Sequence, residues 1–151
     1  MTRTLGEAAE EIYHHLCSIL SGALLELGVE TGWQAVEGSF CDGRFNLACG
    51  EGEQARKIAG TAQYWQSVPG QAADAPRRHV VLAQAVLLVD CNLVAAHRYA
   101  NQFEAALESG RYYQAGKTVS VAQQVAEAGP GLQQRMIAAL HRAIARYPAP
   151  N

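Results

Sequence analysis

The sequence has little that would suit a nucleic-acid-binding or membrane-bound protein. It carries 12 lysine and arginine residues against 14 acidic ones, and the basic residues do not cluster. A surface for nucleic acid or anionic lipid needs such a cluster, so we expect neither as a partner. No apolar run approaches the roughly 18 residues that span a bilayer. The first residues, MTRTLGEAAEE, lack the apolar core of a signal peptide, and we therefore expect a cytoplasmic protein.

Paired metal ligands are also missing from the sequence. None of the four cysteines forms a C-x-x-C pair, and no histidine follows at zinc-finger spacing. We therefore predict no metal site, and no disulfide in a reducing cytoplasm. Cys17 and Cys91 lie in apolar surroundings, which favours buried core positions for both.

The chain of 151 residues fits one domain, 1–151, which begins with a helix. Thr4 and Glu7 have the spacing of a capping box, apolar residues follow at helical intervals, and Gly28 suits a helix end. Short strands are predicted next in WQAVE and RFNLAC, and a strand rich in small residues in RKIAGTAQYW. SVPGQAADAP is the expected hairpin tip. The run from Arg78 to Asp90 is apolar on both faces, which predicts a central strand that is covered on both sides.

The last third of the sequence is predicted to be helical. One helix is expected from Asn92 to Ser109, with a buried face formed by Leu93, Ala96, Ala100, Phe103 and Leu107. Thr118 is the expected cap of a short helix through Ala128. A final helix, with Pro130 in its first turn, carries the stripe Met136, Ile137, Leu140 and Ile144. We predict an α+β fold, with helices against a central antiparallel or mixed sheet and a helical C-terminal extension over 111–147.

Two neighbouring motifs carry a resemblance to a known family. SFCDGRFNL begins at Ser39, and RKIAGTAQ begins at Arg56. Together they resemble the biotin/lipoate protein ligase family, especially lipoate-protein ligases and octanoyl or lipoyl transferases. Family members have Ser-aromatic-Cys, then Gly, an aromatic residue, Asp or Asn, and Leu; the second motif has a basic residue, Lys, an apolar residue, a small residue, Gly and Gln. The resemblance extends from the first helix to about Gly110 and implies a partial class II synthetase or biotin–lipoate ligase-like fold.

The resemblance implies catalytic roles for Lys57 and Cys41. Lys57 matches the family lysine that contacts the acyl carbonyl or an acyl-adenylate, where a point charge would stabilise developing oxygen charge; otherwise it is a solvated lysine at a strand end. We expect it at a concave surface shared with Gly60, exposed enough that Lys57→Ala leaves stability nearly unchanged. Cys41 matches the nucleophile of the amidotransferase branch, with Lys57 or Arg56 as the charge that would lower its pKa; its alternative is a packing residue in a turn.

The resemblance also implies a ligand site and partners. Gly60 and Thr61 would line the path of the acyl chain, Arg56 and Gln63 complete the motif, and Gln84 occupies the place where many relatives have a histidine. The ligands implied are lipoate or octanoate, with ATP-Mg in the ligase branch, and the partner is a lipoyl-type carrier domain. Relatives carry a further N-terminal portion with an arginine-rich, double-glycine motif. We therefore expect a homo-oligomer or a complementary N-terminal chain.

The function expected from the resemblance is acyl transfer to a lysine of that carrier domain, which makes the chain an enzyme of the ligase or acyltransferase class. The alternatives are an inactive module that binds an acyl ligand and a protein-interaction module with a decayed site. Glutamine at position 84 can form hydrogen bonds but cannot carry a proton at neutral pH, which keeps these alternatives open.

Overall fold

A computed structural model describes residues 4–71 and 77–148 of the chain. These residues confirm the predicted α+β class, with an antiparallel sheet of four strands and three helices, the last of them C-terminal. In chain order the elements are α1 Leu5–Glu26, β1 Gly32–Trp33, β2 Leu47–Cys49, β3 Arg56–Ser67, β4 His79–Leu87, α2 Leu93–Ala106 and α3 Leu132–Arg146. None of these helices combines the length and the apolar character needed to cross a membrane.

Helix α1 begins and ends where the sequence predicts. The Thr4 hydroxyl accepts a hydrogen bond from the Glu7 N–H at 3.2 Å, and the Glu7 carboxylate accepts one from the Thr4 N–H at 2.8 Å. This reciprocal pair satisfies two backbone donors that the first helical turn leaves free. Gly28 follows the helix with a φ of 79°, a conformation in which glycine avoids the strain of a side chain.

The sheet follows the order of the chain, β1-β2-β3-β4, and every neighbouring pair is antiparallel. β3 and β4 form the predicted hairpin, in which Ala59 pairs with Leu87 and Ser67 with His79. Part of its expected tip, residues 72–76, lies outside the described residues. The two strands before it are shorter than WQAVE and RFNLAC suggest, because residues 34–46 form turns instead, with positive φ at Gly38 and Cys41.

The predicted position of β4 is wrong. Within the described residues β4 pairs only with β3, so it is an edge strand instead of a central one. One of its faces is open to solvent: Val80, Leu82 and Val86 are each exposed by about 60%. The double-sided apolar pattern predicted burial, but no second layer among the described residues covers this face.

The core lies between the sheet, α1 and α3. Cys17 is fully buried in it, as expected, whereas Cys91 is exposed at the turn before α2 and is not a core residue. The buried face of α3 is Leu132, Met136, Ala139 and Ala143. Of the predicted stripe, Met136 is buried and Leu140 packs at the core edge, but Ile137 and Ile144 are exposed. Alanines face the core here, which lets α3 lie close to α1.

Helix α2 buries a different face from the one predicted. Phe103 and Leu107 are exposed, while His97 and Glu104 are buried. Glu104 accepts hydrogen bonds from the Ser109 hydroxyl and the Tyr113 hydroxyl, both at 2.5 Å, which explains how a carboxylate can face inward.

The segment between α2 and α3 is less helical than predicted. The cap in this segment is Ser120, which begins a 3-10 turn at Val121–Gln123, and no helix extends to Ala128. Thr118 instead forms an isolated parallel bridge with Lys57. Pro130 precedes α3, whose N-cap is Gly131 with a φ of 94°.

Candidate active site

The site begins with an irregularity between β2 and β3. Leu47 pairs with Ala59, but Ala48 pairs with Lys57, so β3 has one extra residue at this point. Such a bulge changes the face toward which the following side chains point. Beyond it, Thr61 and Gln63 bond to groups on the α1 side of the sheet. Lys57 lies with Gly60 on the opposite face, since its Nζ is 3.0 Å from where a Cβ of residue 60 would be.

Lys57 is a buried lysine that holds a turn. It is 7% exposed, and its ammonium donates to the backbone carbonyls of Phe40 and Cys41, the second at 2.8 Å. Burial lowers the pKa of Lys57 below its ordinary value, while nearby Cys41 and Asp42 act in the opposite direction. The side chain is therefore desolvated and fixed in position, unlike a lysine at a solvated strand end.

The Cys41 turn is fixed by several donors. Cys41 has a φ of 46°, which is uncommon for a residue with a side chain. Its carbonyl accepts from Lys57 Nζ, from Asn46 Nδ2 at 3.1 Å and from the Gly43 N–H at 2.9 Å. The carbonyl therefore points inward, and the Cys41 residue itself is exposed. Backbone in a sparsely populated region that is held this firmly is common at functional sites.

A cavity of about 270 Å³ opens beside Lys57 and Cys41. Its walls are mostly apolar and small, and its polar lining residues are Asn46, Lys57, Thr61, Gln84 and Thr118. The lining residues are Phe40, Cys41, Asn46, Lys57, Ala59, Gly60, Thr61, Ala62, Gln84, Ala85, Val86, Leu88 and Thr118. A Cβ at position 60 would lie 3.0 Å from the Lys57 ammonium, so a side chain there would displace Lys57 by a few tenths of an ångström. An apolar recess with a few convergent polar groups is the usual form of a small-molecule site.

Five of the seven residues that the sequence nominated meet at this cavity: Cys41, Lys57, Gly60, Thr61 and Gln84. Thr61 contributes to the wall, but its hydroxyl donates to the Phe45 carbonyl. Arg56 and Gln63 do not line it. Arg56 is exposed opposite Cys49, and Gln63 donates to the Ala9 carbonyl of α1 at 2.7 Å.

The structure adds residues that the sequence reasoning did not assign to the site. Asn46 belongs to the first motif, SFCDGRFNL, and this is the one feature of the sequence that could have assigned it to the site. Phe40 stacks near His97 and Tyr113, with ring centroids 4.4 and 5.0 Å apart, and so fastens the Cys41 turn to α2 and the segment after it. Thr118 lines the cavity with a buried hydroxyl that has no hydrogen-bond partner among the described residues. No local pattern connects Thr118 to the motifs.

Comparisons with known proteins give two relatives. The chain is 50% identical over 153 residues to an uncharacterized protein of Cupriavidus necator, a match that covers 96% of this chain and 60% of that protein. It is 36% identical over 97 residues to the octanoyl-GcvH:protein N-octanoyltransferase of Kyrpidia tusciae, covering 62% of this chain and 31% of that enzyme. The chain thus spans less than two thirds of the length of either relative. No protein-family model matches it, and no solved structure matches it.

Proposed function

We propose that this chain carries the acyl-transfer site of an octanoyl- or lipoyltransferase. The acyl group would pass through a thioester on Cys41 to a lysine of a lipoyl-type carrier domain. The observation that carries the proposal is the meeting of Cys41 and the buried Lys57 at one apolar cavity. The partial relative from Kyrpidia tusciae, which is named as an octanoyltransferase, supports the same class of reaction.

The first step loads Cys41. The Cys41 sulfur, having released its proton, attacks the acyl carbonyl carbon of an acylated carrier. A carbon–sulfur bond forms, the bond from that carbon to the donor lysine nitrogen breaks, and the nitrogen takes up the proton. In the second step the neutral amine of an acceptor lysine attacks the thioester. The carbon–nitrogen bond forms, the carbon–sulfur bond breaks, and a proton from the amine returns to the sulfur.

Lys57 would stabilise both steps. A lysine ammonium has three N–H donors, and here two serve the carbonyls of Phe40 and Cys41. The third would donate to the oxygen of the acyl carbonyl, on which negative charge develops. A donor fixed in advance in a site with little water stabilises such charge strongly.

The cavity would hold the hydrocarbon part of the acyl group. Gly60, Ala62 and Val86 provide an apolar wall, and the volume of about 270 Å³ is at the small end for ligand sites. A short acyl chain therefore fits better than a large cofactor. Gln84 would contribute a hydrogen bond without transferring a proton.

The ligase branch offers a second route, in which the carboxylate of free lipoate or octanoate would attack the α-phosphate of ATP-Mg, giving an acyl-adenylate and releasing pyrophosphate. Lys57 could contact an adenylate as well as an acyl carbonyl, so the two routes differ mainly in their need for Cys41. The described residues include no group of three or more His, Cys, Asp and Glu side chains that could hold a metal ion. ATP-Mg is implied by the resemblance alone.

The test is direct detection of the thioester. Incubation with an octanoylated carrier domain should add one octanoyl mass, removable by hydroxylamine, in intact-protein mass spectrometry. Cys41→Ala should abolish the adduct. Cys91→Ala is the matched control, because Cys91 is also an exposed thiol but lies away from the cavity. It should leave the adduct unchanged.

Other outcomes would overturn the thioester route. Labelling on Cys91, or on no cysteine, would leave Cys41 as a residue of the turn without a catalytic role. Calorimetric titration with octanoate or lipoate, with and without ATP-Mg, would then separate an adenylate-forming or acyl-binding site from an interaction module, which would bind neither acid.

A further inference from the structure

The Cys41 turn borders two cavities that differ in chemistry. The apolar cavity lies on one side. On the other is an open cavity of about 670 Å³, lined by residues 37–39, 41–43 and 111–114. Cys41 belongs to both linings and so stands between the two cavities. We call the second one the polar cavity.

The polar cavity carries groups that suit a cation. Glu37 and Asp42 are both exposed and line it, and Asp42 directly follows Cys41. Arg111 also lines it and offsets part of this charge. Two carboxylates near the sulfur would raise the local concentration of a positively charged group that approaches from solvent.

An independent feature also points to a ligand. Ser39 lines the polar cavity and is 2% exposed, yet its hydroxyl has no hydrogen-bond partner among residues 4–71 and 77–148. A buried polar group without a hydrogen-bond partner destabilises the folded protein. An N–H donor that enters the cavity would satisfy this oxygen.

The far wall of the polar cavity is already rigid. Tyr113 exchanges two hydrogen bonds with the Asn101 side chain, at 2.7 and 2.9 Å, and its hydroxyl donates to Glu104. The Gln114 N–H donates to the Gly38 carbonyl at 2.8 Å. The cavity is therefore preformed and does not need a ligand to assemble it.

We propose that the polar cavity is the entry site for the acceptor amine, a lysine side chain, while the acyl chain occupies the apolar cavity. This inference rests on the proposed function. The lysine arrives as an ammonium, is attracted by Glu37 and Asp42, and passes one proton through one of these carboxylates to water. The neutral amine then attacks the Cys41 thioester, and the carbon–sulfur bond breaks as described above.

The first test needs no acyl transfer and so stands apart from the proposed function. In the full chain with Cys91→Ser, the rate at which Cys41 is labelled by a cationic methanethiosulfonate is compared with the rate for an anionic one. We expect the cationic reagent to be preferred, and Glu37→Gln and Asp42→Asn each to reduce that preference about two- to fivefold. Glu51→Gln, which removes an exposed carboxylate that lines neither cavity, should not change it. Equal labelling rates for the two reagents would overturn the entry site.

The second test follows the octanoyl-Cys41 thioester when it forms. Glu37→Gln and Asp42→Asn should slow its aminolysis by a lysine-containing peptide, measured on thioester that has already formed. Cleavage by hydroxylamine, which is largely uncharged at neutral pH, should stay the same. If both variants react with the peptide as fast as the wild type, the amine enters elsewhere even though the thioester route is correct.

Discussion

Lys57 both supports the Cys41 turn and faces the apolar cavity, so its removal should affect stability as well as binding. An exposed lysine could be truncated at little cost, but Lys57 is buried and is the donor to the Phe40 carbonyl. We expect Lys57→Ala to lower the free energy of unfolding by about 1–3 kcal/mol, the range for a lost buried hydrogen bond, and also to weaken octanoate binding. Urea unfolding and calorimetric titration measure the two effects.

Lys117 provides the matched control for this prediction. Its ammonium also donates to a backbone carbonyl, that of Glu53 at 2.8 Å, but the bond is exposed and lies outside the apolar cavity. Lys117→Ala should therefore lower stability by less than about 1 kcal/mol and leave octanoate binding unchanged. Equal stability losses in the two variants would mean that Lys57 does not hold the turn as described.

Because of Cys17, the free energy of unfolding should depend on pH in the alkaline range. Burial raises the pKa of its thiol from 9.0 to about 11. Between these values the folded protein keeps a proton that the unfolded chain has lost. The stabilisation is thus complete below pH 9 and is lost as the pH rises to about 11, by roughly 3 kcal/mol at most.

The comparison of wild type with Cys17→Ala isolates this effect, because the other titrating groups are common to both proteins. The alanine variant should be the less stable one at pH 8, since it leaves a small cavity. Its deficit should shrink as the pH approaches 11. A difference in unfolding free energy that stays constant over this range would contradict the raised pKa.

At the scale of elements, features that depend on residues close together in the sequence were predicted correctly, whereas burial that depends on distant residues was not. The start of α1 depends on two side chains three residues apart, and the sequence shows both. The second motif lies on β3 as expected, and the bulge beside Ile58 turns Lys57 toward Gly60. Strand periodicity then explains why Gln63, in the same motif, faces α1 instead of the cavity.

The errors share a physical cause, which is that burial depends on partners that hydrophobicity does not describe. Glu104 is buried because Ser109 and Tyr113 donate to it, while the apolar neighbour Phe103 is left exposed. Thr118 enters the site through a single bridge to Lys57 from a distant part of the chain. No pattern in the segment around Thr118 indicates this pairing.

At the scale of the whole molecule, the open face of the β3–β4 hairpin is an apolar surface that no other element among the described residues covers. Directly paired residues point to the same face of a sheet, and Tyr64 pairs with Leu82 and Gly60 with Val86. Tyr64, Val80, Leu82 and Val86 are all about 60% exposed on this face. β4 itself, HVVLAQAVL, contains no Lys, Arg, Asp or Glu, the charges with which natural edge strands discourage pairing.

We therefore expect the chain to form a homodimer in which this face, around Tyr64, Val80 and Leu82, packs against the same face of a second copy. A patch of a few hundred Å² corresponds to several kcal/mol before the costs of association are subtracted. Size-exclusion chromatography with light scattering at low micromolar concentration should give twice the chain mass of 16.2 kDa. Leu82→Lys, which places a charge on the open face, should shift the protein to monomer. Val94→Lys, at a side chain of α2 that is 78% exposed, should not. A wild-type protein that elutes as a monomer would show that this face tolerates water without a second copy, and the inference from its exposure would fail.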